Sequence, residues 1–330
     1  MNKHTSQKIG VLLLNLGGPE CPEDVEPFLR NLFSDRHIIR LGPRLLQKPI
    51  AWMIARKRAP KSMENYRKIG GGSPLLRITR LQADCLAEAL TGAGNFLVRV
   101  CMRYWHPMAA EVLDELQEAG VERLVILPLY PQYSIATTGS SFFDLEETLK
   151  KKGWSVPVTW IHDWPDEPGY IQALAQRVEE GLADFSQPPA LLYSAHSLPV
   201  RFIDEGDPYV EHLQRTITAL ETVTGHPGQL CYQSRSGPVE WLGPSTPETI
   251  QALITNNRRG VLVVPLSFVS DHVETLYEID VEYREMAEQA GLTFACTKGL
   301  NDLPLFIKAL RSLVLRYLNG AAGSSPGSTP

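Results

Sequence analysis

The sequence predicts an α/β protein made of two similar halves, each a parallel sheet flanked by helices. Three observations predict it. Short, uniformly apolar runs alternate with longer segments of helical spacing. Runs of that kind stay apolar throughout only where helices cover both faces of a parallel sheet. The chain also resembles itself: Arg123-Leu-Val-Ile-Leu-Pro-Leu-Tyr-Pro-Gln-Tyr-Ser134 matches Gly260-Val-Leu-Val-Val-Pro-Leu-Ser-Phe-Val-Ser-Asp271. Each is a strand, then Pro-Leu, then an aromatic and polar turn. With 330 residues there is material for two cores of ordinary size. The expected division is an N-terminal half over 1–160 and a C-terminal half over 161–318. A small, polar tail over 319–330 is expected to be disordered.

The strands read, in order, as Val11–Leu16, Phe96–Met102, Leu124–Leu129, Ala190–Ala195, Gln229–Tyr232 and Val261–Leu266. Helical spacing marks Ala109–Ala119, Tyr170–Asp184, Val210–Val223 and Pro247–Asn256 between them. Right-handed crossovers then follow. The first run breaks at Gly17-Gly18-Pro19 without a cleavage site, so it reads as a buried strand and not a signal peptide. Residues 41–58 set apolar residues such as Trp52 and Ile54 beside a basic cluster. They form either a helix packed on its own domain or a lip that meets a greasy ligand and a bilayer surface.

The charge balance, 32 Lys+Arg against 37 Asp+Glu for a net −5, argues against a non-specific nucleic-acid partner. Five cysteines (Cys21, Cys85, Cys101, Cys231, Cys296) stand singly, with no C-x-x-C pair. That points to a reducing, cytoplasmic setting rather than a disulfide framework. No apolar stretch approaches the roughly 20 residues a membrane span needs. Gly17-Gly18-Pro19 lacks the spacing of a dinucleotide fingerprint, Gly70-Gly-Gly-Ser-Pro74 has no Lys to make a P-loop, and Thr138-Gly-Ser-Ser141 is not a hydrolase elbow.

In open α/β sheets the ligand sits outside the carboxyl ends of the strands. Two such ends carry chemistry. Tyr193-Ser-Ala-His-Ser-Leu-Pro199 puts His196 where a strand leaves its sheet. Phe268-Val-Ser-Asp-His-Val-Glu-Thr-Leu-Tyr-Glu-Ile-Asp-Val-Glu282 runs from a strand into a helix, with Ser270 as the expected cap. Glu274, Glu278 and Glu282 recur every four residues, on one helical face, and Asp271 and His272 add donors beside them. Like charges at that spacing cost a few tenths of a kcal/mol per pair unless protons or cations intervene. The two ends are expected at equivalent points of the two halves, facing one cleft. Imidazole plus carboxylate without thiolate suits Fe2+ or another borderline divalent ion.

Taken together, Leu14-Asn-Leu-Gly-Gly-Pro19, Tyr66-Arg-Lys-Ile-Gly-Gly-Gly-Ser-Pro74, Arg103-Tyr104 and Gln132-Tyr-Ser-Ile-Ala-Thr-Thr-Gly-Ser140 form an ordered set with Ser194-Ala-His-Ser-Leu-Pro199, Tyr232-Gln-Ser-Arg-Ser-Gly-Pro238, Trp241-Leu-Gly-Pro244 and Ser270–Glu278. In these residues the chain, from 8 to about 318, resembles the ferrochelatases, which insert Fe2+ into a porphyrin to make haem. The resemblance implies two Rossmann-like domains of the chelatase kind, with the porphyrin between them. It implies that His196 and Glu274 are catalytic and metal-binding, reaching from opposite lobes to face each other across the macrocycle. Glu278 and Glu282 would continue an acidic row for proton or metal transfer, on a partly π-type helix. Leu16, Arg58, Ser73, Arg103, Tyr104 and Trp241 match positions that line the pocket or hold porphyrin carboxylates.

The implied partners are porphyrin and ferrous iron as substrates, with no permanently bound cofactor. Animal members carry a 2Fe-2S cluster on one Cys in the Gln-Tyr-Ser segment and three near the C-terminus. Here Ile135 fills the first place and no Cys follows Cys296, so no cluster is expected. Leu16 resembles the protoporphyrin IX branch, where coproporphyrin III enzymes usually carry Tyr. The expected location is cytoplasmic; if residues 41–58 form the lip and not a packed helix, they would add peripheral contact at the inner face of the membrane. The rivals are a chelatase for another metal and macrocycle, and a non-catalytic porphyrin carrier, which would have no use for the Glu row.

Overall fold

The computed structural model describes residues 7–320; residues 321–330, most of the expected tail, lie outside them. The strands are β1 (Lys8–Asn15), β2 (Asn95–Met102), β3 (Arg123–Pro128), β4 (Val158–Trp160), β5 (Ala190–His196), β6 (Gly228–Gln233), β7 (Gly260–Pro265) and β8 (Thr293–Cys296). All pair in parallel, in two sheets of order β2-β1-β3-β4 and β6-β5-β7-β8. The two orders are the same order repeated. The internal match in the sequence falls on β3 and β7, the third strand of each sheet. All six predicted runs are strands. The edge strands β4 and β8 escape a reading by pattern, being three and four residues long and mostly part-exposed.

The helices are α1 (Val25–Ser34), α2 (Gln47–Lys68), α3 (Leu75–Ala89), α4 (Ala109–Glu118), α5 (Ser140–Lys152), α6 (Pro168–Leu182), α7 (Val200–Asp204), α8 (Tyr209–Thr224), α9 (Thr246–Thr255), α10 (Arg284–Gln289) and α11 (Pro304–Leu318). After the third strand of each sheet the chain also winds into a π-helix, Ile135–Gly139 in one half and Glu274–Tyr283 in the other. Such turns are rare and gather at functional sites.

One core joins the sheets. Val11, Leu13, Val125 and Leu127 share it with Leu191, Tyr193, Leu262 and Val264, and with apolar faces of α3, α6, α8 and α11. Burying each Val or Leu contributes about 1.5–3 kcal/mol. The last helix therefore crosses back to the first sheet's side: Arg311 Nε donates to the Ala89 carbonyl of α3 at 2.8 Å. The alternate residues Leu12 and Leu14 face α4 and α5, and Leu192, Val261 and Val263 face α9, α10 and the π-helix. A further cluster holds α1 to α2 around Tyr104. The sheets are thus covered on both faces, which is why their strands read as unbroken apolar runs.

Candidate active site

The parallel pairing of β5 with β7 decides the site's position. His196 is the last residue of β5, and the π-helix bearing Glu274 follows β7. Neighbouring strand ends bring the two side chains into direct contact, with His196 Nδ1 2.9 Å from Glu274 Oε2. This corrects two expectations. The two residues come from the same half and not from opposite lobes, because the strands that deliver them are neighbours in one sheet. They also touch, where the expectation set them apart on either side of a ring. The place equivalent to His196 in the first half, two residues beyond the strand residue paired with the third-strand proline, belongs to Leu16.

Each backbone and side-chain group of the pair is held. The His196 amide donates to Ser267 Oγ at 2.9 Å, and the Tyr209 hydroxyl donates to its carbonyl at 3.1 Å. With Nδ1 turned to Glu274, Nε2 is the nitrogen left for a proton or an ion. Glu274 Oε2 also accepts from Ser234 Oγ at 2.8 Å and Gln233 Nε2 at 3.3 Å. Burial pushes the imidazole pKa down, but the carboxylates of Glu274 and Glu278 outweigh it, and the net shift is upward. Burial likewise pushes Glu274 up, yet His196 against it holds the carboxyl down to about 2. The two shifts favour the charged forms, imidazolium against carboxylate.

Glu278 continues the row. Its carboxylate accepts from the Ser234 amide at 2.8 Å and the Tyr283 hydroxyl at 2.6 Å, and meets the Ser234 hydroxyl. Burial and the nearby Glu274 charge raise its pKa. Ser234 has one hydroxyl hydrogen to share between the two carboxylates. Glu282, the third of the row, is exposed. The row leads from a half-buried pair to solvent.

The supporting residues divide. His272 is buried, tilted against Phe268 with ring centroids 4.0 Å apart, and its Nε2 lies 3.9 Å from Glu274 Oε1 without a hydrogen-bond partner. Burial lowers its pKa. Asp271 is occupied elsewhere, accepting from Asn301 Nδ2 at 2.7 Å and Thr275 Oγ1 at 3.2 Å. Ser270 does not cap the helix. Its hydroxyl is committed to Gln82 of α3, in the first half, and Val273 holds the cap position.

The first half closes over this site through α2. Arg58 donates to Ser236 Oγ at 2.8 Å, Lys68 to the Tyr277 hydroxyl at 3.4 Å, and Tyr66 is buried near enough to Glu274 for its pKa to be raised by burial and by that charge. Trp241 makes a backbone bridge to Pro199, in the turn after His196, and its buried Nε1 has no protein partner. Arg103 and Tyr104 are turned inward. Arg103 pairs with Asp35 at 2.8 Å, and the Tyr104 hydroxyl, on a side chain only 1% exposed, donates to the same carboxylate at 2.7 Å.

A family model described as Ferrochelatase matches residues 8–318. The chain belongs to the ferrochelatase family. Its relatives include the ferrochelatase of Desulfotalea psychrophila, 55% identical over 93% of this chain and 96% of that one. That of Geotalea uraniireducens is 49% identical over 93% and 97%. Among solved structures, SirB from Bacillus subtilis with Fe3+ aligns at a TM-score of 0.53 and 11% identity, over 94% of this chain and 95% of that one. The sirohydrochlorin chelatase SirB from Bacillus subtilis subspecies spizizenii, in complex with cobalt, gives 0.56 and 10%, over 96% and 97%. At that identity the likeness is one of fold: the two-sheet chelatase architecture.

Two of the motifs that carry the ferrochelatase resemblance dock on each other. A Cβ on Gly18 would come within 2.7 Å of Ser73, and one on Gly72 within 2.1 Å of the Glu20 carbonyl. Glycine lets these loops touch, and Ser73 is fixed there, its amide donating to Pro19 O at 2.7 Å and its hydroxyl accepting from the Leu75 amide. Sequence reasoning assigned no role to Gln233, Ser234, Tyr66, Tyr209, Tyr283 or Asp35. Gln233, Ser234 and Tyr66 lie inside motifs it quoted; for Asp35 no signal existed, because its partners are scattered through the chain.

Proposed function

We propose that this chain inserts Fe2+ into protoporphyrin IX, releasing two pyrrole protons and forming protohaem. The observation that carries the reading is the His196–Glu274 ion pair at the head of an acidic row, in a chain of this family. A free-base porphyrin binds a metal only after both inner N–H protons leave. His196 Nε2, its imidazole oriented by Glu274, accepts those protons one at a time and passes each to the acidic row before taking the next; in its neutral form it holds the ferrous ion with Glu274. Glu278 and then Glu282 carry protons or cations between the pair and solvent. Two protein donors hold an ion loosely, which suits an ion in transit. Fe2+ is a substrate in this reading, and no resident cofactor or iron–sulfur cluster is part of it.

The division at residue 160 belongs to the same reading: 1–160 supplies Leu16, Arg58 and Ser73, and 161–318 supplies the pair, the row and Trp241. Apolar and aromatic walls grip the ring and bend it toward the reacting shape. Arg58, which lies over the Phe33 ring and donates to the Ser236 hydroxyl without a carboxylate partner among the described residues, takes a propionate by a charge-assisted bond. Arg103 acts indirectly, holding Asp35 and the lip.

Residues 41–58 are proposed to touch a membrane surface. Leu45 is 92% exposed, and Leu46, Trp52 and Met53 are also exposed among Arg44, Lys48, Arg56 and Lys57. Ile54 does not join them; it is half-buried against α1. Among the described residues no helix is long and apolar enough to cross a membrane.

The test is anaerobic turnover with Fe2+ and either protoporphyrin IX or coproporphyrin III, followed in the Soret and Q bands. The expected result is many turnovers on protoporphyrin IX. A stoichiometric spectral shift without turnover would make the chain a carrier, and preference for coproporphyrin III would correct the ring.

A further inference from the structure

Resting on the proposed function, we propose that Ser234 is a positioning residue for metal insertion, a strained backbone clamp that ties Glu274 and Glu278 into one unit. Ser234 is the first residue after β6 and has φ +65. Among the described residues only Asn257 and Asn301 share a positive φ without being glycine. Asparagine tolerates that conformation, whereas serine does so at more cost. Strain of this kind persists where the surroundings over-determine it.

The conformation turns both donors of Ser234 toward the π-helix. Its amide donates to Glu278 Oε1 at 2.8 Å, its hydroxyl lies 2.8 Å from Glu274 Oε2, and the same hydroxyl meets Glu278 Oε2. Tyr283 pins Glu278 from the other side at 2.6 Å. One side chain thus bridges two carboxylates that would otherwise repel on the helix. Glycine would hold the same backbone without strain, so the hydroxyl is the feature the serine adds. In the first half the equivalent place after β2 belongs to Tyr104, whose hydroxyl is likewise aimed at a carboxylate, that of Asp35. With the bridge in place, an ion or proton leaving the His196–Glu274 pair finds the next acceptor one hydroxyl away.

The experiment compares wild type with Ser234→Gly, Ser234→Ala and Ser234→Thr, by melting temperature and by steady-state insertion of Fe2+ into protoporphyrin IX with each substrate varied in turn. Stability and activity should part company. Ser234→Gly should melt at or above the wild-type temperature, yet lose about tenfold or more in kcat/KM for the metal, as losses of supporting partners do, with KM for porphyrin unchanged. Ser234→Ala should lose as much activity. Ser234→Thr, which keeps the hydroxyl at a worse backbone fit, should melt lower and stay within about threefold of wild type. Full activity in Ser234→Gly beside an active wild type, or activity that follows melting temperature through the series, overturns the proposal alone. A wild type without turnover removes the proposed function and this inference with it.

Discussion

At the scale of single residues, the site works because burial and charge act against each other on the same groups. Burial alone would keep His196 neutral; the Glu274 carboxylate at 2.9 Å reverses that. Replacing Glu274 with Gln removes the larger opposing charge and leaves the burial, so the imidazole pKa should fall from above its ordinary value of about 6.5 to below it. Imidazole NMR titration measures this, and an unmoved pKa would mean that Glu274 does not govern the ring. The stability signs follow by linkage. A raised His196 pKa contributes stability present below the unfolded value and lost as pH rises through the folded one. A lowered Glu274 pKa contributes stability present above about 4.5 and lost as pH falls through the folded value near 2. The pair therefore stabilises most between roughly pH 4.5 and 6.5.

Asp35 makes the second residue-scale case. It is buried, and its carboxylate accepts from Arg103, Tyr104, Ser140 and the His37 amide. Burial pushes its pKa up, but Arg103 and these donors leave it lowered. Asp35→Ala takes from the Arg103 guanidinium its closest carboxylate and should cost about 3–5 kcal/mol in urea unfolding. A loss under 1 kcal/mol would show Arg103 finds another partner, Asp144 at 3.6 Å being the nearest. His196 and Glu274 were legible because a strand end marks a place. Ser234 and Asp35 were not, since a left-handed loop residue and a long-range hub leave no periodic trace.

At the scale of elements, the π-helix and the lip matter most. The four-residue spacing of Glu274, Glu278 and Glu282 reads as an α-helical stripe, but the wider π turn alters where each side chain points. Glu274 and Glu278 meet over Ser234 while Glu282 stands in solvent. The lip was legible as apolar residues beside basic ones, but pattern could not tell Trp52, which is exposed, from Ile54, which packs inward. Making Leu45, Leu46, Trp52 and Met53 polar together should abolish co-sedimentation with anionic liposomes while leaving the melting temperature within a few degrees. Equal sedimentation of variant and wild type would retire the membrane contact.

At the scale of the molecule, the duplication was visible as one repeated strand and proves to be a repeated sheet order with a π-helix after each third strand. What the repeat could not reveal is that the halves share a core, which α11 completes by returning to α3. Unfolding should be a single cooperative transition, and Leu310→Ala, at a fully buried site in that core, should cost about 2–5 kcal/mol and shift the whole of it. Two separable transitions in calorimetry would contradict the shared core.

The most direct test of the reaction is anaerobic Fe2+ insertion by His196→Ala, with porphyrin binding measured on the same sample by the Soret shift. If the imidazole is the proton acceptor and ion holder, the variant binds protoporphyrin IX as the wild type does and does not turn over. Wild-type turnover by His196→Ala would contradict the account.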